Sequence, residues 1–180
     1  MKKVRCKWCN LKNPLYVKYH DEEWGILNTN DDYLFEMLIL ESFQAGLSWE
    51  CILNKRENFR KAYDNFNLDQ VCGYDDKKIE ELLSNQGIIR NRLKINASIQ
   101  NAKIFKTITL EYGTFWNYLK QFTGNKVMVE KHQVTNEISD AISKDLKKRG
   151  MKFVGSTTIY AYLQAIGVIY SHEDTCFLSK

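Results

Sequence analysis

A mostly apolar stretch, residues 33–49, constrains the fold of this chain more than any other part of its sequence. Its apolar residues recur at the spacing of one helix face, which predicts a buried α-helix. The stripe consists of Leu34, Met37, Leu38, position 41 and Ala45. Position 41 is Glu41, and a carboxylate on a buried stripe costs free energy unless something pairs with it. Asn30 and Asp31 offer an N-cap, so the helix is predicted to begin there and to end before Gly46.

A short segment after this helix combines a small residue, an apolar residue and an aromatic residue. Gly46 and Leu47 form a tip, and Ser48 can cap a second helix that begins with Trp49. Two interpretations stay open from these residues alone. Either Glu41 serves a site, or it belongs to a core ion pair and Leu47 is ordinary packing.

The scarcity of proline indicates the fold class. Pro14 is the single proline among 180 residues, and glycine is also sparse. This composition favours long helices with short connections, and the length fits one domain with a full core. Since no repeat, low-complexity tract or linker stands out, we predict one all-α domain over residues 1–180.

Charge and hydropathy exclude several classes of protein. The net charge of +4 is mild and does not by itself imply a nucleic-acid partner. The longest aliphatic run spans residues 37–40, far short of a membrane span, and no apolar run follows the basic N-terminus. We therefore expect a cytoplasmic monomer without membrane association, in which the five cysteines are thiols or metal ligands rather than disulfides.

Caps and breakers divide the rest of the chain into helices and one loop. A helix is predicted to begin at Pro14 and run to about Trp24. Further helices are predicted over residues 48–63, 68–72, 115–122 and 136–149, after Asp75, through Ile95 to Phe105, and after a cap at Ser156. Residues 123–135 are predicted to form a loop.

A glycine hairpin at Gly87 separates two of these helices. The second helix is expected to open with free backbone N–H groups, with Arg90, Arg92 and Lys94 close by. Such a terminus suits a phosphate group, although a plain helical turn is the open alternative. A basic cluster, Lys147, Lys148 and Arg149, ends the helix predicted over residues 136–149 and also has two interpretations. It is either a normal basic helix C-terminus or a contact to a phosphate backbone.

Cysteine and histidine residues are paired at the two ends of the chain. Cys6 and His20 come from one end, and His172 and Cys176 from the other. A Cys₂His₂ set is ordinary structural zinc chemistry, and a metal here would fasten the termini together. Because Cys9 forms a C-x₂-C pair with Cys6, it can replace His20 as a ligand, and scattered reduced thiols are the other open alternative.

Motifs spread over most of the chain carry a family resemblance. They are residues 6–8, 14–21, 23–25, 34–37, 40–41, the Gln-Ala-Gly-Leu-Ser-Trp block at 44–49, 55–58, 87–90, 146–150 and 153–155, together with the terminal Cys/His pairs. The chain resembles the constitutive bacterial 3-methyladenine DNA glycosylase I family, within the helix–hairpin–helix glycosylase superfamily.

The resemblance implies a compact helical domain with a structural zinc clasp that joins the termini. The implied metal ligands are Cys6, His20, His172 and Cys176. The implied base pocket is formed by Glu41, Tyr16, Tyr19, Trp24 and Trp49, with Glu41 as the leading acidic candidate for catalysis, since residues 90–105 contain no Asp or Glu. The candidate DNA contacts are Gln44, Gly46, Leu47, Gly87, Ile88, Arg90, Arg92, Lys148 and Arg149.

The implied activity is base excision repair of alkylated double-stranded DNA. The enzyme is expected to flip out 3-methyladenine and to hydrolyse its N-glycosidic bond, releasing the free base without strand cleavage. Whether Glu41 binds the base, catalyses or orients water is left open, and residues 123–135 match nothing in the family and receive no function.

Two other classes of function remain to be separated from this one. A zinc-stabilised DNA-binding module without activity has no use for the set Glu41, Tyr16 and Trp49, and a base-release assay distinguishes it. A zinc hydrolase needs an open coordination position, whereas four protein ligands leave none.

Overall fold

The computed structural model describes residues 3–180, which form ten α-helices, one short 3-10 helix and two very short strands. The helices are α1 Pro14–Glu22, α2 Asp31–Gln44, α3 Trp49–Leu53, α4 Arg56–Ala62, α5 Leu68–Cys72, α6 Asp76–Ser84, α7 Arg92–Tyr112, α8 Phe115–Thr123, α9 Glu137–Lys148 and α10 Ser156–Ala165. The 3-10 helix is Asp64–Phe66, and the strands are β1 Met128–Val129 and β2 Ile169–Tyr170. Among these residues, no helix is both long and apolar enough to cross a membrane.

Most helices begin at a polar side chain that accepts a hydrogen bond from the first turn. These N-caps are Asn13, Asn30, Ser48, Asn67, Asp75, Asn91, Thr114 and Asn136. Such caps satisfy backbone N–H groups that have no partner within the helix. The predicted start of α2 and its end before Gly46 are confirmed.

Three predictions of secondary structure were wrong in detail. The helix predicted over residues 48–63 is divided into α3, which ends at Leu53, and α4, which begins at Arg56; between them the Asn54 side chain accepts a hydrogen bond from Asn13. Gly155 rather than Ser156 precedes α10, because the Ser156 hydroxyl bonds to Ser139 and Asp140 of α9 instead of to its own helix. The loop predicted over residues 123–135 contains β1, which pairs in parallel with β2.

Helix α2 lies at the centre of the core. Leu34, Met37 and Leu38 of its apolar stripe are fully buried, whereas Ala45, just past the end of the helix, is half-buried. The helix packs against α3, α7, α8 and α10. The hydroxyl of Tyr162 on α10 donates to the carbonyl of Leu34. Gly167 allows the chain after α10 to pass the segment before α2, because its φ is +79° and a Cβ there would lie 2.2 Å from the backbone of Ile26. The terminal segments around Cys6 and Cys176 meet beside α1, where both contact His20.

Candidate functional site

A cavity of about 290 Å³ opens beside α2 and has mainly aromatic walls. Tyr16 and Tyr19 come from α1, Trp49 from the start of α3, and Trp24 from the segment between α1 and α2. Glu41 and Gln44 extend from α2 into the same lining, with Trp8 from the N-terminal segment. The structure thus brings together all five residues predicted to form the pocket, together with Gln44, which was predicted as a DNA contact.

Glu41 is the one acidic side chain that α2 contributes to this cavity. It is 3 % exposed, and its Oε2 atom has no hydrogen-bond partner. Burial alone raises the pKa of its carboxyl group to about 8. None of the ion pairs among the described residues involves Glu41, so the interpretation as a core ion pair is wrong. An unpaired buried carboxyl group in a cavity marks a place where a ligand can supply the missing partner.

The aromatic walls add a second unsatisfied polar atom. The indole Nε1 of Trp49 is buried without an acceptor, and its ring lies 5.3 Å from that of Tyr19. Burial raises the pKa of Tyr16 to about 12 and that of Tyr19 further above its ordinary value, so both phenols are neutral at pH 7. The cavity therefore offers flat π surfaces, an unpaired donor and an unpaired carboxyl group. This combination fits a planar heterocycle with polar edges.

The far wall of the cavity consists of residues that no sequence pattern predicts. It consists of His132, Ala161, Gln164, Ser171 and Glu173, which lie more than eighty residues after α2. His132 belongs to the loop that received no function, and it adopts a left-handed φ of +63°. Lys131 fixes this loop to the C-terminal segment through hydrogen bonds to Asp174 and Ser179. No local sequence signal identifies this wall, because its residues meet the pocket only through tertiary packing.

The four predicted metal ligands lie together next to the cavity. The ligand atoms of Cys6, His20, His172 and Cys176 are all within 4.8 Å of one another, and all four residues are buried. The Sγ atom of Cys176 lies 3.5 Å from both His20 Nε2 and His172 Nδ1. A tetrahedral Zn²⁺ bound to sulfur and nitrogen separates such atoms by about 3.5 Å. The donor set and its spacing therefore fit zinc.

Hydrogen bonds from neighbouring residues indicate which side chains belong to the metal-ligand set. The Nδ1–H group of His20 donates to Asp21 at 2.8 Å, which leaves the Nε2 lone pair directed at the cluster. Arg5 in turn holds Asp21 through two hydrogen bonds. The thiol of Cys9 lies outside the cluster and contacts the Tyr16 carbonyl oxygen instead. The structure therefore favours His20 over Cys9 as the fourth ligand.

The cluster and the cavity share aromatic residues. The ring of Trp8 packs 5.2 Å from His20 and 4.8 Å from Trp24. The ring of Trp24 also packs 4.8 Å from His172. Because Trp8 and Trp24 line the cavity, closing the terminal cluster also fixes one of the pocket walls.

An exposed tip, residues 45–47, lies at the rim of the cavity. Gly46 has a φ of +79°, and no atom lies near the place of a Cβ, so its role is conformational rather than steric. Leu47 is 40 % exposed, and its N–H group donates to the Gln44 carbonyl oxygen at 2.7 Å. The structure thus presents an apolar side chain to solvent immediately beside the pocket.

The hairpin at Gly87 differs in part from its prediction. A Cβ at Gly87 would lie 3.0 Å from Asn58, which explains the glycine by close packing. Ile88 is buried, so its side chain is not available to a ligand, and Arg92 is paired with Glu80. Arg90 remains exposed. The Asn91 side chain caps the first turn of α7, so that helix does not begin with a fully open terminus.

Lys94 lies in the first turn of α7, but its ammonium group is not free to bind a phosphate there, contrary to the prediction. It is 9 % exposed, and its ammonium group donates to the carbonyl oxygens of Phe43 and Ala45. These atoms are about fifty residues away in the sequence, which is why local patterns could not place them.

A second connection, the α9–α10 hairpin of residues 149–155, has the more open helix start. Gly155 precedes α10 and provides no side-chain cap. Lys148 at the end of α9 and Lys152 within the hairpin are exposed. Arg149, by contrast, is held by Asp145 and Glu111, so it is engaged within the protein. Backbone N–H groups and nearby lysines make this hairpin suitable for a phosphate.

The chain is similar to known proteins over almost its whole length. The model of the methyladenine glycosylase family matches residues 8–179. DNA-3-methyladenine glycosylase 1 of Escherichia coli K12 is 40 % identical over 178 residues, covering 96 % of this chain and 95 % of that protein. A DNA-3-methyladenine glycosylase of Haemophilus influenzae is 35 % identical over 179 residues, with 96 % of each chain covered.

Solved structures agree with the sequence matches. A crystal structure of a 3-methyladenine DNA glycosylase I superposes with a TM-score of 0.94 and 38 % identity, covering 98 % of this chain and all of that one. A Staphylococcus aureus structure described as the structural basis of 3-methyladenine recognition superposes with a TM-score of 0.91 and 30 % identity, with 97 % of each chain covered. The helical fold expected from the sequence is thereby confirmed.

Proposed function

This chain belongs to the methyladenine glycosylase family, and from that premise we propose that it removes 3-methyladenine from alkylated double-stranded DNA by hydrolysing the N-glycosidic bond. The observation that carries the proposal is the unpaired Glu41 carboxyl group in an aromatic cavity. The product is the free base, and the role is the first step of base excision repair.

Glu41 recognises the adenine edge in this proposal. Its oxygens accept hydrogen bonds from the base, which replaces the partner that Oε2 lacks in the free protein. Donors from a bound base stabilise the ionised carboxylate and lower the raised pKa of Glu41. Guanine presents a carbonyl where adenine presents an amino group, and a carboxylate facing that carbonyl repels it. Specificity therefore follows from one buried acceptor that has no partner within the protein.

The aromatic walls favour the damaged base over an undamaged one. 3-Methyladenine is cationic while it remains attached to its sugar, and Tyr16 and Trp49 can stack on it. A cation over an aromatic face gains a further ~0.5–2 kcal/mol. Because the departing base leaves as a neutral molecule, the enzyme has to supply less catalysis than an undamaged base would require.

Simple hydrolysis without strand cleavage fits the lining of the cavity. Strand cleavage by this class of enzyme needs an amine nucleophile that forms a covalent bond to the sugar. Among the described residues that line the cavity, none is lysine or cysteine. Glu41 is consequently the leading group for orienting water or stabilising the positive sugar in the transition state.

Access to the base requires that the nucleotide leave the stack. Leu47 on the exposed tip has the position and the apolar character to fill the gap that a flipped nucleotide leaves. Arg90, Lys148 and the open start of α10 supply contacts to the backbone phosphates, so binding is expected to weaken with salt.

A base-release assay tests this function. Methylated duplex DNA is incubated with the protein, and released bases are separated and quantified. We expect 3-methyladenine to be released while the strand stays intact, and Glu41→Gln to reduce that release. A protein that binds methylated DNA but releases no base would overturn the proposal in favour of a binding module.

We also propose that one structural zinc ion is held by Cys6, His20, His172 and Cys176, where it joins the two ends of the chain. When bound, zinc supplies cross-linking rather than reaction chemistry, because four protein ligands leave no position for water.

Metal content and thermal unfolding test the zinc proposal. We expect about one zinc per chain, lost in Cys6→Ala but retained in the matched control Cys9→Ala. Cys176→Ala should lower the melting temperature more than it weakens binding of the free base. Metal-free protein purified without chelator, or loss of zinc in Cys9→Ala alone, contradicts this assignment.

A further inference from the structure

Lys94 joins two parts of the molecule that the proposed function uses separately. Its ammonium group donates to Phe43 O at 2.8 Å and to Ala45 O at 2.6 Å. Carbonyl groups at the end of a helix lack partners within that helix, and a cation there also interacts favourably with the helix dipole. Ala45 is the first residue of the tip, so Lys94 holds the root of the segment that carries Leu47.

The same ammonium group faces the α9–α10 hairpin. It lies 5.8 Å from the ring centroid of Phe153, a residue with a left-handed φ of +55°. Further along α7, the side-chain amide of Asn101 makes two hydrogen bonds to the backbone of Lys152. Its Nδ2 donates to the Lys152 carbonyl oxygen and its Oδ1 accepts from the Lys152 N–H group, each at 2.9 Å. Lys94 and Asn101 are seven residues apart, or about 10 Å along one face of α7. Helix α7 therefore holds the tip and the hairpin at a fixed separation.

Burying the Lys94 ammonium group costs more free energy than an ordinary helix cap requires. Desolvation lowers the pKa of Lys94, whereas helix ends are commonly closed by backbone bonds that bury no charge. Few other bonds restrain the tip: the Leu47 N–H group donates to the Gln44 carbonyl oxygen, and the Gln44 side-chain amide lies 3.5 Å from the Leu47 carbonyl oxygen. No atom packs near the Cβ position of Gly46. A tip with so few restraints would move aside when its apolar side chain meets a base stack.

We propose that Lys94 is a positioning residue for damage recognition, which sets the Leu47 tip relative to the α9–α10 hairpin. When the hairpin holds the backbone, the tethered tip enters the duplex at the nucleotide that faces the pocket. Lys94 itself contacts neither the base nor the phosphates. This inference rests on the proposed glycosylase function and adds a coupling between its two DNA-contacting elements.

Lys94→Met tests the inference, because it keeps the length of the side chain and removes its donors. The readouts are release of 3-methyladenine from methylated duplex DNA, release from the same DNA after denaturation to single strands, and titration with the free base. We expect duplex release to fall by about tenfold or more, with single-strand release and free-base affinity changed by less than about threefold. Lys103→Met, an exposed lysine on the same helix, is the matched control and should match the wild type.

Combination with Leu47→Ala distinguishes positioning from general damage to the fold. If Lys94 acts through Leu47, the double variant releases base from duplex no more slowly than Leu47→Ala alone. Multiplicative losses, equal losses on both DNA forms, or loss of free-base affinity in Lys94→Met would overturn the proposal. If Lys94→Met does not fold, Lys94→Gln is measured in its place against the same criteria. A wild-type protein without base release refutes the glycosylase function, whereas an active wild type with an unaffected Lys94→Met refutes only the positioning role.

Discussion

Helix α2 carries two glutamates with little solvent exposure, Glu36 and Glu41. The first is paired with arginines, whereas the second lies in the aromatic cavity without an ion-pair partner. Glu36 has a side chain that is 12 % exposed and accepts hydrogen bonds from Arg56 at 2.6 Å and Arg60 at 2.9 Å. Glu41, five residues later, is 3 % exposed and has an oxygen without any partner. The Glu36 region pairs its charges within the protein, whereas the Glu41 region leaves a carboxyl oxygen without a hydrogen-bond partner.

The difference separates residues that stabilise the fold from those that serve the site. Arg56 also binds Glu23, so the Glu36 region is a closed network of charges. A buried carboxyl group without a partner lowers the free energy of unfolding, so a carboxyl group that serves the fold is expected to be paired. The aromatic cavity maintains the unpaired state of Glu41, which is the state that a ligand with hydrogen-bond donors can exploit.

The largest expected effect is a loss of stability on the paired side. Glu36→Gln should lower the free energy of unfolding by about 3 kcal/mol, because it weakens bonds to two arginines and leaves Arg56 short of a counter-charge. Binding of free 3-methyladenine should be unchanged. Urea denaturation measures the change in stability, and a fluorescence titration measures the base affinity. A loss of base affinity in Glu36→Gln would contradict the assignment of Glu36 to the fold rather than to the site.

The same substitution at Glu41 should have the opposite effect on stability. The folded pKa of about 8 lies above the ordinary value of 4.5, so the wild type loses stability as pH rises through this window. The full displacement corresponds to roughly 5 kcal/mol, and water in the open cavity reduces it to about 2 kcal/mol. Glu41→Gln should therefore be more stable by about 2 kcal/mol at pH 8 and no more stable than the wild type at pH 4.

Denaturation of both proteins at several pH values measures this difference. It should grow between pH 4.5 and pH 8 and stay constant above that range. A difference that stays constant between pH 4.5 and pH 8 would mean that the pKa of Glu41 is not raised and that its carboxyl group is ionised in the folded protein over this range.

The affinity for free 3-methyladenine should distinguish Glu41 from Glu36. Glu41→Gln places a donor where the adenine edge also donates, so affinity for free 3-methyladenine should fall by about 1–2 kcal/mol. Calorimetric titration of the wild type, Glu41→Gln and Glu36→Gln checks this, with the last as the matched control on the same helix. Unchanged affinity in Glu41→Gln would remove Glu41 from the site.

The smallest effect on stability is expected at Leu47. Because its side chain is 40 % exposed, Leu47→Ala should change the free energy of unfolding by less than about 0.5 kcal/mol. Base release from duplex DNA should nevertheless fall more than release from single strands, since a wedge matters only where a stack must be held open. Equal reductions on both forms of DNA would make Leu47 a packing residue.

Local chemistry allowed much of the fold to be predicted from the sequence. Asn30 caps α2 through atoms two and three residues away, so its sequence context already contains the interaction. The apolar stripe that buries Glu41 is likewise a property of one helix. The pairing of cysteine and histidine near the two termini likewise indicates a cluster, and the four ligand atoms do lie within 4.8 Å of one another.

Tertiary structure alone decided which of these groups are partnered. The sequence placed Glu36 and Glu41 on one helix, but the arginines that complete Glu36 come from α4. Lys94 looked like a phosphate ligand beside a hairpin, and instead it binds carbonyls some fifty residues away. His132 reaches the cavity from a loop without a recognisable pattern. Caps and periodicity depend on neighbours within a few residues, whereas pairing depends on which distant segments the packed core brings into contact.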